Sequence, residues 1–229
     1  MIIYFIRHGD PDYQNDCLTP LGRLQAEKAA QRLAEYGIDS VYTSPRGRAR
    51  ETAGYTARLL GMEPIVCEFM REIGWKPLGD EPILANGHPW RVAKLQAAEG
   101  IRLADPDWRE KEPYCKSMIV DRVSEAIAGF DAFLAELGYR REGDHYRVEG
   151  EATDRRIAIF SHAGSSSAVI SHLFNIPFPV TCGSMPPDVT SITTVSFSDK
   201  VGMLIAPRLV CFNDALHIKG LSVEREFQS

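Results

Sequence analysis

Residues 2–6 constrain the fold more than any other stretch of this chain. Five consecutive apolar or aromatic side chains, IIYFI, are followed at once by Arg7, His8 and Gly9. A continuous apolar run, without the alternation of a half-exposed strand, is typical of a strand that is buried on both faces of a parallel sheet. The sequence therefore predicts a central strand that presents a cation and an imidazole where it leaves the core.

Strand and helix patterns alternate along the rest of the chain. Apolar positions recur at helical spacing from Thr19 to Tyr36, with Pro20 suited to the first turn and Gly37 to the end. Other strands are predicted at 39–45, 64–69 and 155–162, other helices at 46–61, 118–137 and 163–175, and a hairpin at the sheet edge from 191–198 and 203–214. This order predicts an α/β fold, a three-layer α/β/α sandwich with a mostly parallel central sheet and helices on both faces.

The length of 229 residues, 44% of them hydrophobic, fits a single domain over 1–229. The segment of about 76–150 differs in character, because prolines and tryptophans there are mixed with charged residues. We expect this segment to be an insertion whose first half forms an irregular cap over the sheet. Loops in such positions often determine specificity.

Charge and cysteine usage narrow the classes of partner. With a formal net charge of −5, the chain lacks the broad basic footprint that nucleic acids and membrane surfaces require, so neither partner is expected. Five scattered cysteines without C-x-x-C spacing indicate reduced thiols, and no apolar run reaches about 18 residues. We therefore expect a cytoplasmic protein, with its oligomeric state left open.

Reactive side chains follow the ends of the predicted strands. Arg7 and His8 close the first strand, Arg48 follows the second, Glu72 comes shortly after the third, and His162 closes the fourth. The carboxyl ends of parallel strands share one edge of a sheet, which is where ligands of open α/β folds bind. We expect these two arginines, two histidines and one carboxylate to converge there.

Such a set of side chains suits phosphoryl transfer. Arg7 and Arg48 can hold the oxygens of a phosphate dianion with planar forks that stay charged at any working pH. A neutral His8 can take the phosphoryl group as a phosphohistidine, and Glu72, with a pKa raised by a closed pocket, can protonate the leaving oxygen and later deprotonate water. His162 and the backbone amides after it can donate to the phosphate. The reaction needs no metal and no cofactor, because these donors supply the electrostatic stabilisation.

Five motifs in this order resemble the histidine phosphatase superfamily, also called the phosphoglycerate-mutase-like superfamily: RHG at 7–9, LTPLGRLQA at 18–26, SPRGRARETA at 44–53, REIGW at 71–75 and FSHAG at 160–164. The resemblance covers residues 1–75 and 155–198. It implies that His8 is the nucleophile, Glu72 the proton donor, and Arg7, Arg48 and His162 the phosphate pocket, with Ala163 in the same turn.

Several assignments have rivals. Arg48 is preferred over Arg46 because the R-A-x-E-T match begins at Arg48. Many family members place an asparagine six residues after the nucleophile, whereas this chain has Gln14 there and Asn15 next to it, so either could make the secondary phosphate contact. Other carboxylates near Glu72 compete for the proton-donor role: Glu63, Glu68 and Glu81.

The residues and the resemblance together predict a metal-independent phosphatase. Because the cap is long enough to narrow the pocket, we expect its substrates to be small phosphorylated metabolites. A phosphoglycerate mutase is the first alternative, but the cap sequence WREKEPYCKSM lacks the paired arginine, tyrosine and proline-rich run of that branch. A second alternative is a protein that binds phosphorylated ligands without catalysis, which is disfavoured because all five reactive positions are filled. The cap also offers three cations that could reach a second anionic group on a substrate: Arg109, Lys111 and Lys116.

Overall fold

The computed structural model describes residues 1–149 and 154–221. Within them lie six α-helices: α1 Pro20–Ala34, α2 Gly47–Leu60, α3 Pro89–Ala98, α4 Ile119–Glu136, α5 Ala163–Leu173 and α6 Phe178–Ser184. The same residues form these strands: β1 Ile2–Arg7, β2 Pro11–Asp12, β3 Cys17–Leu18, β4 Ser40–Thr43, β5 Ile65–Val66, β6 Tyr139–Glu142, β7 His145–Val148, β8 Arg156–Ser161, β9 Ile192–Ser196, β10 Leu204–Ile205 and β11 Arg208–Asp214. Among the described helices, none is long and apolar enough to cross a membrane.

The main sheet has six strands in the order β11-β9-β1-β8-β4-β5. Strands β1, β8, β4 and β5 pair in parallel, while β9 runs antiparallel to both of its neighbours, β1 and β11. Helices α1 and α2 pack together on one side, and α4 and α5 pack together on the other. The predicted α/β sandwich with a mostly parallel sheet is therefore confirmed.

Strand β1 is buried on both faces, as its apolar run predicts. Ile3 and Phe5 belong to the core cluster that includes α4 and α5 side chains, whereas Tyr4 and Ile6 belong to the cluster on the α1 and α2 side. Full burial of each such side chain contributes about 1.5–3 kcal/mol. This two-sided packing makes β1 a rigid support for the residues that follow it.

The strand predicted at 64–69 is shorter in the structure. Only Ile65 and Val66 pair with β4, and both are about half exposed because β5 is the edge strand of the main sheet. The chain then enters a 3-10 turn, Glu68–Met70, which buries Met70 completely. This turn redirects the chain toward the carboxyl edge of the sheet.

The hairpin predicted at the sheet edge is confirmed in part. Strands β9 and β11 pair antiparallel at that edge. Leu204 and Ile205, which the prediction placed in the second arm, instead form β10 and pair with β7 in a separate three-stranded sheet. Pro207 lies between β10 and β11, and a proline interrupts a strand because it has no N–H to donate.

The segment of about 76–150 contributes to two clusters. Phe130 and Phe133 of α4 pack in the core against β1 and β8, so α4 is a layer of the sandwich. Before it, residues 76–117 contain α3 and several 3-10 turns, where the sequence led us to expect an irregular path. Trp108 and Tyr114 from this region pack against α6 and α4 in a second cluster. The division of the chain into a domain and an inserted cap stays a prediction.

Candidate active site

Three parallel strands end side by side at one edge of the main sheet. In the sheet register, Arg7 at the end of β1 pairs with Ser161 at the end of β8, and Thr43 at the end of β4 pairs with Phe160, one residue earlier. The residues that follow these strands therefore emerge together. These are His8, His162 and Ser44, and all three are buried. The centroids of the two imidazole rings are 5.1 Å apart. The sheet thus brings together both histidines that the sequence singled out.

The His8 imidazole is held in one tautomer. Its Nδ1 lies 2.7 Å from the carbonyl oxygen of Gly9, and because a carbonyl oxygen can only accept, Nδ1 carries the proton and Nε2 keeps its lone pair. Burial, together with the charges of Arg7 and Arg48, lowers the pKa of His8 to about 3. At neutral pH the ring is therefore uncharged, with a nitrogen that can attack phosphorus.

Arg7 and Arg48 share an arrangement that prepares them for an anion. In each guanidinium, Nη1 donates a hydrogen bond to a protein acceptor. For Arg7 the acceptor is the carbonyl oxygen of Pro187 at 2.8 Å, and for Arg48 it is the carboxylate of Asp16 at 2.6 Å. In each, the Nε is buried and has no hydrogen-bond partner among the described residues. Buried N–H groups are nearly always paired in folded proteins, so each of these guanidinium groups keeps one buried donor that has no acceptor among the described residues.

The preference for Arg48 over its neighbours agrees with the exposures of these side chains. Arg48 is 8% exposed, whereas Arg46 and Arg50 lie on the solvent side of α2. The ring of Tyr13 also lies against Arg48, with 5.3 Å between the ring centroid and Cζ. Among these three arginines, only Arg48 combines burial with an unpaired donor.

His162 caps the start of α5. Its Nε2 lies 2.8 Å from the hydroxyl oxygen of Ser44, and its Nδ1 is buried without a partner among the described residues. Burial holds the pKa of His162 well below its ordinary value, and the nearby His8 and Arg48 lower it further. The ring is therefore neutral, and Ser44 fixes its orientation next to His8.

Glu72 lies at the amino end of α5. Its Oε1 accepts hydrogen bonds from the backbone N–H of Ile73 at 3.0 Å and of Ser165 at 3.3 Å. Burial raises the pKa of Glu72, while these two amides and the charges of Arg7 and Arg48 oppose the rise. A carboxyl group in this environment can hold a proton to higher pH than an exposed glutamate.

A glycine makes room for that carboxylate. A side-chain carbon at Gly164 would overlap Oε1 of Glu72 and the side chain of Ile73, so α5 can approach Glu72 this closely only with a glycine at position 164. The competing carboxylates are all solvent-exposed: Glu63, Glu68 and Glu81. Glu72 is thus the carboxylate that the fold brings to both arginines and to α5.

The other predicted phosphate contacts are placed less centrally. Gln14 and Asn15 are exposed, and both donate backbone N–H groups to the carboxylate of Asp12, which the Asn15 side chain also contacts at 2.8 Å. Ala163 is buried as the first residue of α5, beside His162. Their roles stay predictions. The carboxylate from this loop that pairs with Arg48 is that of Asp16.

The cap cations are already engaged in the structure. Lys111 pairs with Asp105 and Lys116 pairs with Glu112, both on the surface, and Arg109 stacks on the ring of Trp108. None of these contacts involves the site. Over the described ranges, no group of three or more His, Cys, Asp or Glu side chains is placed to hold a metal ion.

Sequence comparison finds a family profile and a curated relative that match this chain. The sequence profile of the histidine phosphatase superfamily (branch 1) matches residues 3–208. A probable phosphoglycerate mutase, GpmB, from Yersinia enterocolitica is 29% identical over 148 aligned residues, in an alignment covering 59% of this chain and 69% of the relative.

Solved structures share the fold over nearly the whole chain. A variant of phosphoserine phosphatase from Entamoeba histolytica, in complex with phosphoserine, superposes with a TM-score of 0.62 at 23% identity, covering 95% of this chain and 98% of that one. A mycobacterial glucosyl-3-phosphoglycerate phosphatase gives a TM-score of 0.63 at 23% identity, covering 93% and 98%. At these identities the likeness establishes the fold.

Proposed function

Because this chain belongs to the histidine phosphatase superfamily (branch 1), we propose that it hydrolyses phosphate monoesters through a covalent phosphohistidine on His8. One observation carries the proposal. The buried Nε groups of Arg7 and Arg48 lack partners among the described residues, and both guanidinium charges act on an imidazole whose Nε2 is unprotonated. A phosphate ester supplies the acceptor that these donors need and an electrophilic phosphorus for the imidazole.

In the first half-reaction, a bond from Nε2 of His8 to phosphorus forms as the bond from phosphorus to the ester oxygen breaks. Negative charge spreads over the three equatorial oxygens, where Arg7, Arg48 and His162 donate hydrogen bonds. Glu72, whose pKa is raised by burial, gives a proton to the departing alkoxide. The alcohol leaves, and the carboxylate of Glu72 remains beside the phosphohistidine.

In the second half-reaction, water takes the place of the alcohol. The carboxylate of Glu72 accepts a proton from that water as its oxygen attacks phosphorus. The bond between phosphorus and Nε2 of His8 breaks, inorganic phosphate leaves, and both residues return to their starting protonation states. The proton of His8 stays on Nδ1 throughout, donated in a hydrogen bond to the Gly9 carbonyl oxygen, so the nucleophile keeps its tautomer.

We propose that the substrates are small phosphorylated metabolites and that the protein acts in a reducing cytoplasm. Structural neighbours named phosphoserine phosphatase and glucosyl-3-phosphoglycerate phosphatase act on molecules of this class. Lys111 and Lys116 are both paired with carboxylates on the surface. We therefore propose that they do not bind a second anionic group of the substrate. A panel of phosphorylated metabolites, followed by release of inorganic phosphate, tests this choice.

The 29% identity to a probable phosphoglycerate mutase favours one rival. In a mutase, the phosphohistidine returns its phosphoryl group to another hydroxyl of the bound sugar acid instead of to water. Incubation with 3-phosphoglycerate and a bisphosphoglycerate primer separates the two. We expect inorganic phosphate to be released; accumulation of 2-phosphoglycerate without phosphate release would contradict the hydrolase proposal.

The remaining rival is a protein that binds phosphorylated ligands without turning them over. The filled positions of His8 and Glu72 oppose it, because binding alone requires neither a nucleophile nor a proton donor. Saturable binding of inorganic phosphate, with no phosphate release across the whole ester panel and no phosphoenzyme, would favour this rival over hydrolysis.

A further inference from the structure

Asp16 connects the loop after β2 to the start of α2. One carboxylate oxygen lies 2.6 Å from Nη1 of Arg48, and the other accepts the backbone N–H of Gly47 at 2.9 Å. The Arg48 side chain in this pair is 9% exposed and that of Asp16 is 37% exposed. A single carboxylate thus holds both the first turn of α2 and one of the two guanidinium groups of the site.

The backbone around Asp16 is specialised for this contact. Asp16 has a φ of 49°, in the left-handed region that aspartate and asparagine enter more readily than most residues. A side-chain carbon at Gly47 would overlap the carbonyl oxygen of Asp16, so the loop and the helix touch through their backbones. The position of the carboxylate relative to Arg48 is therefore set by the main chain.

The carboxylate also has an electrostatic cost if the site binds a phosphate dianion, since like charges repel. Burial would raise the pKa of Asp16, but the Gly47 amide and Arg48 hold it below its ordinary value, so the group is charged at neutral pH. A negative charge beside a phosphate-binding arginine therefore needs a compensating benefit. The geometry of Arg48 supplies it: with Nη1 held by Asp16, the buried Nε is left without a protein partner among the described residues.

We propose that Asp16 is the positioning residue for Arg48: its carboxylate fixes the guanidinium by Nη1 so that the Nε edge meets the phosphoryl oxygens. This inference rests on the proposed function, in which Arg48 binds the transferring phosphate. Asp16 acts through Arg48 and does not touch the substrate. A misplaced arginine costs rate because the transition-state oxygens must be met at hydrogen-bond distance.

The test is Asp16→Asn. Asparagine keeps the size of the side chain, tolerates the left-handed backbone and can still accept a hydrogen bond from the Gly47 amide, but it removes the negative charge beside Nη1 of Arg48. Asp12→Asn is the matched control, because the Asp12 carboxylate binds amides of the same loop, those of Gln14 and Asn15. We expect Asp16→Asn to lower kcat/KM by about ten- to a hundredfold, mainly through kcat, and Asp12→Asn to stay near wild type. If Asp16 acted only as a repelling charge, Asp16→Asn would lower KM and raise kcat/KM, which would overturn the proposal.

A double-mutant cycle with Arg48→Lys separates positioning from a general effect on the fold. If Asp16 acts through Arg48, Asp16→Asn should cost little further activity once Arg48 is lysine; full additivity would refute the inference. Asp16→Gly, which suits a φ of 49°, replaces Asp16→Asn if that variant does not fold. If the wild type hydrolyses no ester, the proposed function fails. The positioning role is then tested separately by the affinity for inorganic phosphate, which we expect to be weaker in Asp16→Asn than in the wild type.

Discussion

Replacing His8 should make the stability of this protein less sensitive to acid. The imidazole is 1% exposed, and burial with the charges of Arg7 and Arg48 lowers its pKa from 6.5 to about 3. In the unfolded chain His8 takes up a proton as the pH falls through about 6.5, whereas in the folded protein it does not until about pH 3. Proton uptake by the unfolded chain alone favours unfolding, so stability is lost as the pH falls through that window.

The size of the effect follows from linkage. At pH 5 the protonated form of an unfolded histidine exceeds the neutral form by about thirtyfold. This protonation stabilises the unfolded chain by about 2 kcal/mol relative to pH 7. This figure depends little on the folded pKa of His8 as long as that pKa stays well below 5. The pKa of His162 is also lowered, but this histidine is present in both proteins compared, so its contribution cancels in the difference.

Urea unfolding of wild type and His8→Asn, followed by tryptophan fluorescence at pH 7 and pH 5, measures the difference. Between the two pH values, the free energy of unfolding of the wild type should fall by about 2 kcal/mol more than that of His8→Asn. His145→Asn, which replaces an exposed histidine on β7, serves as the control and should follow the wild type. An equal loss in wild type and His8→Asn would refute the reasoning that His8 is held neutral by its surroundings.

Four further variants test other parts of the structure. Glu72→Gln should lower kcat on alkyl phosphates by about 10²–10⁴-fold. Profiles of kcat/KM against pH should also lose the fall that we expect in the wild type as the pH rises and Glu72 gives up its proton. Gly164→Ala should cost about 1–3 kcal/mol of stability and most of the activity, because the new side-chain carbon overlaps the Glu72 carboxylate. Gly54→Ala in α2 is its control, because a carbon there meets only the flexible end of an arginine side chain. Thermal melts should show that Gly54→Ala stabilises the protein by about 0.5–1 kcal/mol. Phe130→Ala should cost about 3–5 kcal/mol in urea unfolding if α4 is a layer of the sandwich.

The parts of this fold that the sequence could predict are those with local signals. β1 was predictable because both of its faces are apolar, and α2 because Gly61 ends it in a left-handed cap with a φ of 68°. The placement of Arg7, His8 and His162 followed, since each lies at or just after the end of a buried strand. Their positions depend only on where each strand ends and on the parallel order of the sheet.

The partners of those residues carry no local signal. Asp16 lies 32 positions from Arg48, Ser44 lies 118 from His162, and the Pro187 carbonyl lies 180 from Arg7. A hydrogen bond at such separations depends on how loops pack once the sheet has formed. The sequence therefore predicted the groups that face a phosphate better than the groups that hold them in place.

The missed elements have two different causes. α6, with the sequence FPVTCGS, contains residues of low helix propensity and forms against α5 and α3, so tertiary packing overrides its local preference. The β6–β7 hairpin did have a signal: Gly143, with a φ of 57°, occupies a two-residue turn between the paired residues Glu142 and His145. Glycine followed by aspartate between alternating segments is typical of such turns.

The measurement that tests the central claim most directly is capture of the phosphoenzyme. The protein is mixed with a radiolabelled phosphate ester, quenched within a turnover and digested, and the labelled peptide is identified by mass spectrometry. The account predicts an acid-labile, base-stable phosphoryl group on the peptide that contains His8, absent from His8→Asn. Label on an acid-stable serine ester, or full turnover by His8→Asn, would contradict it.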